Sequence, residues 1–242
     1  MESSQPCRLR GRTFEGTAMK LPCVLLAAGD STRMGRNKLL VFLGGETLVH
    51  RTARNALGAF SPLIVVTGSQ AELIEEALAD LGDIVFVRNP DWLLGMAASA
   101  IAGLAMVEKL AGSDFNHMPG FFLHHADMPF VPLDVYETLT AEAWKRAGED
   151  QPRALVPACR GNPGHPVYFP LSCIDRIRGV KKGESLKSAL AGCGFTLVET
   201  GSESVNEDCD TLEDFQRHAA RYGLELDLAD SPRIRGTKRS ET

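Results

Sequence analysis

Short, continuously apolar runs separated by amphipathic stretches organise most of the chain. Val24-Leu25-Leu26, Ile64-Val65-Val66 and Phe121-Phe122-Leu123 are apolar at consecutive positions. Neither face of such a strand can be left to water, so runs of this kind suit strands covered by helices on both sides. The pattern predicts strands at 23–27, 63–67, 84–87, 120–125, 154–157, 166–169 and 195–199. Helical spacing of apolar positions falls at 47–57, 71–81, 97–110, 133–147, 185–191 and 211–222. Strands alternating with helices in this way define an α/β protein with a doubly wound, mostly parallel sheet in three layers, Rossmann-like in plan. Ligands of such sheets sit beyond the carboxyl ends of the strands, so the segments that follow the strands are where chemistry is expected.

The ends of the chain lack this pattern. Residues 1–19 are polar, with Arg8, Arg10 and Arg12, and are expected to be a disordered leader; Met19, directly before the first strand, is a candidate start. Residues 229–242 carry Arg233, Arg235, Lys238 and Arg239 and are expected to be a flexible tail, leaving one domain over 20–228. A chain of 242 residues, 44% hydrophobic and 24% charged, can bury a sizeable core without disulfides or structural metal. Its net charge of −5 and the lack of a basic block in the body argue against a nucleic-acid partner. No run approaches the ~20 apolar residues of a membrane span, and the N-terminus has no apolar signal segment. Six scattered cysteines without a C-x-x-C pair suggest neither a zinc site nor a disulfide framework, and buried thiols in a reducing cytoplasm are the expectation.

Candidate chemistry begins just after the first strand, in Leu26-Ala27-Ala28-Gly29-Asp30-Ser31-Thr32-Arg33-Met34-Gly35-Arg36-Asn37-Lys38. Small residues there let main-chain N–H groups approach a ligand and form an anion nest. Arg33 can fork onto phosphate oxygens and Lys38 supplies a compact positive charge. The spacing fits neither a P-loop nor the G-x-G-x-x-G dinucleotide turn. A second candidate is Gly95-Met96-Ala97-Ala98-Ser99, where a helix opens and offers free N–H groups. A third is Asp127, at the end of an apolar strand and followed by Met128-Pro129; Mg2+ binds through one or two such carboxylates together with substrate phosphates. His124 and His125 precede it, but alternation along a strand puts at most one of them on its face, a poor zinc set. In Asn206-Glu207-Asp208-Cys209-Asp210-Thr211-Leu212-Glu213-Asp214, Thr211 and Asp214 have the spacing of a helix cap, leaving Asp208 or Asp210 for metal, with Asp208 preferred.

The first of these segments resembles the signature L-A-A-G-x-S-x-R-M-G-x-x-K of nucleotidyltransferases related to molybdenum cofactor cytidylyltransferase. The resemblance extends from about Leu21 to Tyr222 and includes the segments around Gly95, Asp127, Gly164-His165-Pro166-Val167 and Asp208. It implies a nucleotidyltransferase fold. It also implies nucleotide binding by Leu26, Ala27, Ala28, Gly29, Arg33, Lys38, Thr67, Gly95 and Ser99, acceptor binding by His165, and magnesium at Asp127 and Asp208. Arg33, Lys38 and Asp127 would carry catalysis. The Ala-Ala-Gly form is similar to that of cytidine-using members, which implies CTP as donor and a molybdopterin-type phosphate as acceptor, with a molybdoenzyme or its chaperone as a partner. Lys181-Lys182-Gly183-Glu184-Ser185-Leu186-Lys187 departs from the family's Gly-Asp-x-Gly-Ala-Arg, and Leu212 stands where proline is usual. The first of these departures leaves open a sugar or alcohol phosphate as acceptor; the reading from another class is a nucleotide-binding regulatory module without turnover, against which the joint presence of Arg33, Lys38, Asp127 and Asp208 argues.

Overall fold

The structure is a computed structural model that describes residues 20–30, 34–112, 118–181 and 184–228. In chain order its elements are β1 (Leu21–Ala27), β2 (Phe42–Leu43), β3 (Glu46–Thr47), α1 (Leu48–Ala59), β4 (Phe60–Thr67), α2 (Ala71–Glu76), β5 (Ile84–Arg88) and α3 (Met96–Ala111). They continue with β6 (Gly120–His125), α4 (Leu133–Lys145), β7 (Ala154–Cys159), β8 (Asn162–Pro163), β9 (Val167–Pro170), α5 (Ile174–Arg178), α6 (Leu186–Cys193), β10 (Phe195–Glu199), α7 (Leu212–Tyr222) and β11 (Leu226–Asp227). Among the described residues one sheet has the order β10-β7-β9-β6-β1-β4-β5, with β8 attached to β7, and a small second sheet has the order β11-β2-β3. β1 lies parallel to β4 and β6, β4 to β5, and β10 to β7. The mostly parallel, doubly wound sheet expected from the apolar runs is therefore present. Its exceptions are β9, which runs antiparallel between β6 and β7, and the two-residue β8, antiparallel to β7.

The consecutive apolar positions divide between two cores. On β1, Leu21, Cys23 and Leu25 enter the core beneath α1 and α4, while Val24 enters the core beneath α3. On β4, Leu63 and Val65 take the first side, and Ile64 and Val66 the second. β6 does the same, with Phe122 opposite Phe121 and Leu123. Each of these side chains is at most 3% exposed, so both faces of the central strands contribute apolar burial, the dominant favourable term in folding. Gly103 lets α3 lie close on this sheet, since a Cβ there would stand 2.3 Å from Val24 Cγ1.

Three features differ from the periodicity. The helix predicted over 71–81 ends at Glu76, after which three-residue turns (Ala79 N to Glu76 O, Leu81 N to Leu78 O) replace helical bonding. The second sheet is built of two-residue strands, too short for an alternation to register. Cys173 and Cys193 are disulfide-bonded with Cα atoms 5.7 Å apart, which corrects the expectation of thiols throughout. Packing of α6 on α5 brings the two together across 20 residues, a distance at which sequence spacing carries no pairing signal. Cys23, Cys159 and Cys209 are buried free thiols. No helix among the described residues is long and apolar enough to cross a membrane. The leader 1–19 with Met19, the tail 229–242 and Arg33 lie outside the described residues.

Candidate active site

The turn after β6 is fastened from two sides. Ala126 N donates to Leu26 O of β1 at 3.2 Å, and from α1 Thr52 Oγ1 donates to Ala126 O at 2.9 Å and Asn55 Nδ2 to Pro129 O at 3.0 Å. Asp127 is thereby held at the carboxyl end of the sheet. The segment before α7 is tied to it, because Cys209 N donates to Asp127 O at 3.0 Å. Buried His218 on α7 supports that segment, with Nε2 at 3.2 Å from Asp208 O. Thr211 and Asp214 form the capping box expected from their spacing: Asp214 Oδ2 accepts from Thr211 N at 2.9 Å, and Thr211 Oγ1 from Asp214 N at 3.2 Å. Asp214 is thus occupied by the helix start, and Asp208 and Asp210 lie outside it.

Lys38 reaches this acidic centre from the first loop. Asn37, itself buried, caps the 3-10 turn Lys38–Leu40 by accepting from Leu39 N at 3.1 Å, and Leu39 and Leu40 anchor the turn in the core. The Lys38 ammonium donates to Asp127 Oδ2 and to Asp210 Oδ1. Burial alone would lower its pKa; the charges of Asp127 and Asp210 and the bonds to them more than offset this and hold it above its ordinary value. Asp208 makes no side-chain hydrogen bond among the described residues. Desolvation of its inner side, and then the charges of Asp127 and Asp210, raise its pKa above the ordinary aspartate value. Asp127 Oδ1 is buried without a partner. Among the described residues no three His, Cys, Asp or Glu side chains are grouped closely enough to hold a metal by themselves. The orphaned oxygen of Asp127, with Asp208 near by, nevertheless suits a divalent cation that takes one or two carboxylates and completes its shell with phosphate oxygens and water. Beside Asp210 opens a cavity of about 410 Å3, lined by residues that include Met34, Arg36, Thr211, Leu212 and Glu213, within the size range of small-molecule sites.

The nucleotide-side candidates line the neighbouring strand ends. Ala27 and Ala28 are buried, Leu26 is half-buried, and above exposed Gly29 there is open space. Ala28 O accepts from Ser69 N at 3.2 Å, and Gly68 lies so close that a Cβ there would meet Ala28 O at 2.8 Å. Thr67 is fully buried and turns its hydroxyl to Glu75 Oε1 at 3.3 Å, so it meets the rim through its carbonyl, which accepts from Asn89 N at 2.8 Å. Gly95, at φ 103°, opens α3 in a conformation that favours glycine. Ser99 is buried against Asn89, whose Nδ2 donates to its Oγ at 3.1 Å.

His165, the acceptor-side candidate, lies over His125 with ring centroids 4.0 Å apart. Its turn is held by His165 N donating to Val205 O at 2.9 Å and Gly164 N to Pro157 O at 2.8 Å. Burial, then the neighbouring histidines, keeps the His165 pKa well below the ordinary value, so the ring is neutral at pH 7. His124 is buried, pairs with Tyr136 OH at 2.9 Å, and is pushed down to about 3 by burial and then by His125. Glu184 accepts from Lys181 N at 3.2 Å; Lys182 and Gly183 lie outside the described residues. Sequence reasoning missed Asn89 and His218. Neither carries a motif of its own; each is visible only through the atom it holds.

A parallel sheet with a small-residue loop at its first strand, and a lysine from that loop set among aspartates of two later ones, defines a nucleotidyltransferase. The chain belongs to the MobA-like NTP transferase domain family, whose model matches residues 23–199. It is 28% identical over 202 residues to the molybdenum cofactor cytidylyltransferase of Escherichia coli K12, covering 84% of this chain and 97% of that protein. It is 29% identical over 214 residues to the nicotine blue oxidoreductase of Paenarthrobacter nicotinovorans, covering 81% and 97%. Among solved structures, Rv0371c of Mycobacterium tuberculosis H37Rv superposes with a TM-score of 0.68 at 24% identity, covering 84% of this chain and 99% of that one. Rv0371c has also been solved as a manganese complex, matched at a TM-score of 0.61 and 23% identity over 82% and 97% of the two chains.

Proposed function

We propose that this enzyme transfers cytidine monophosphate from CTP to the phosphate of a molybdopterin-type cofactor, releasing pyrophosphate, and that it requires Mg2+. The observation that carries the reading is the convergence of Lys38, Asp127 and Asp210, with Asp208 alongside, on the loop that begins Ala27-Ala28-Gly29. Asp127 and Asp208 would hold the cation. Asp127 is bonded by Lys38 through one oxygen but keeps the other, Oδ1, without a partner. Asp208 is preferred to Asp210 because it makes no side-chain hydrogen bond among the described residues, whereas Asp210 is bonded by Lys38. When bound, the ion supplies charge neutralisation for the phosphates. Ala27, Ala28, Gly29, Gly95 and Ser99 would receive the base, and Arg33 and Lys38 the triphosphate.

The acceptor phosphate has a second pKa near ~6, so its oxygen is already nucleophilic at neutral pH and no general base is needed. It attacks the α-phosphorus in line; a new P–O bond forms, the bond to the β-phosphate breaks, and pyrophosphate leaves with that electron pair. What remains for the protein is positioning and charge stabilisation. Neutral His165 would orient the acceptor.

Pyrophosphate release measured with each NTP in turn, with and without molybdopterin cofactor, tests donor and acceptor together. Cofactor-dependent release confined to CTP is the expected result. Release with CTP only on adding a sugar or alcohol phosphate would overturn the acceptor, and release with another NTP would overturn the donor.

A further inference from the structure

Asn89 and Ser99 form a buried pair between the end of β5 and the first turn of α3, exposed by 5% and 3%. Asn89 Oδ1 accepts the main-chain N–H of Asp91 at 3.0 Å. That bond decides which end of the amide is oxygen, because a main-chain N–H can only be met by an acceptor. The other end, Nδ2, therefore faces Ser99 Oγ at 3.1 Å. An amide nitrogen only donates, so the serine oxygen accepts and its own proton must go elsewhere. None of the described residues takes it. The common recipient for a helical serine is the carbonyl four residues back. Here that carbonyl, Gly95 O, accepts from Ala98 N at 3.2 Å and makes no bond with the serine hydroxyl. A buried hydroxyl left without an acceptor costs about 1–3 kcal/mol, a cost that a ligand atom accepting the proton removes.

We propose that Asn89 is a positioning residue that locks Ser99 as a hydrogen-bond donor, so that the site reads an acceptor atom, a ring nitrogen or carbonyl oxygen, on the edge of the nucleotide base. The assignment rests on the proposed seat of the base beside Gly95 and Ser99. Cytosine offers such atoms in N3 and O2, whereas an exocyclic amine at that position would leave the serine proton unmet.

Asn89→Asp tests the polarity directly. One carboxylate oxygen still accepts from Asp91 N, but the other now accepts from the Ser99 hydroxyl and withdraws the proton from the ligand. Binding is measured by calorimetry with Mg2+ and without acceptor, using whichever NTP the parent enzyme binds most tightly. N89D is expected to raise Kd about 10-fold, the equivalent of one hydrogen bond, while adding N89D to S99A changes it less than about 2-fold. An equal penalty in both backgrounds would overturn the proposal, since it would show that the added charge or a packing change acts without Ser99. Should N89D fail to fold, S99A and S99T decide: loss of about 10-fold in S99A with near-parent binding in S99T is expected, and parent-like binding by S99A overturns it. Failure of the cytidine reading shows separately, as a parent enzyme that prefers another NTP.

Discussion

Replacing Lys38 by methionine removes the only ammonium that bonds both Asp127 and Asp210 among the described residues, while keeping a side chain of similar length. Two carboxylate oxygens that share one ammonium, each at hydrogen-bond reach, stand no more than about 6 Å apart. With an effective dielectric of about 20 their bare repulsion is about 3 kcal/mol. The side chains involved are 16–29% exposed, so solvent screens the pair only in part. For a domain of this size such a loss corresponds to a fall in Tm of about 6–12 °C.

The sign of the pH dependence follows from Asp208, whose pKa is already raised by burial and by Asp127 and Asp210, with Lys38 opposing. A carboxyl raised in the folded state imposes no penalty below its unfolded pKa, and the penalty grows as pH rises through the folded value. Without Lys38 the rise is larger, so the deficit of K38M relative to the parent should be greatest at pH 7–8 and shrink toward pH 4. Millimolar Mg2+ should restore much of the lost Tm by supplying the missing charge. Thermal melts of parent and variant across pH, with and without Mg2+, make the measurement. A deficit of equal size at pH 5 and pH 8 that ignores Mg2+ would refute the reasoning and make Lys38 a packing residue.

Asp127→Ala should cut turnover at least ~100-fold, the scale of losing a charge-stabilising group, and unchanged pyrophosphate release would remove Asp127 from the metal site. His218→Leu deletes the donor to Asp208 O; it should raise the Mg2+ concentration for half-maximal rate about 5–10-fold, as loss of one hydrogen bond allows. His218→Gln, which keeps a donor, should recover most of that, and a titration in which both variants behave alike would count against the positioning role. Gly164→Ala would set a Cβ 2.0 Å from Val205 O. Because the obstacle is main chain, the His165 turn must move, and KM for the acceptor should rise well beyond KM for CTP; parallel changes in both would deny His165 its place on the acceptor side.

The strands of the main sheet were legible because burial on both faces writes itself as consecutive apolar residues, as at Ile64-Val65-Val66. The capping box of α7 was legible for a similar reason, since Thr211 and Asp214 are three positions apart and local bonding fixes both. The segments bearing Lys38, Asp127 and Asp208 could be picked out by their place after strands and by a resemblance carried on a long motif. Their meeting could not. Lys38 finds Asp127 across 89 residues and Asp210 across 172, and the partners of a charged side chain depend on strand order, which periodicity does not encode. The same holds for Cys173 with Cys193, for β11 joining β2, and for the antiparallel insertion of β9 between β6 and β7. Sequence by itself determined which segments must be buried and which turns must carry polar chemistry, because hydrophobic burial and capping act over a few residues. Only the tertiary structure decided which of those polar groups share a site, and that Ser99 has its oxygen already taken by Asn89, because these depend on where distant strand ends are brought together.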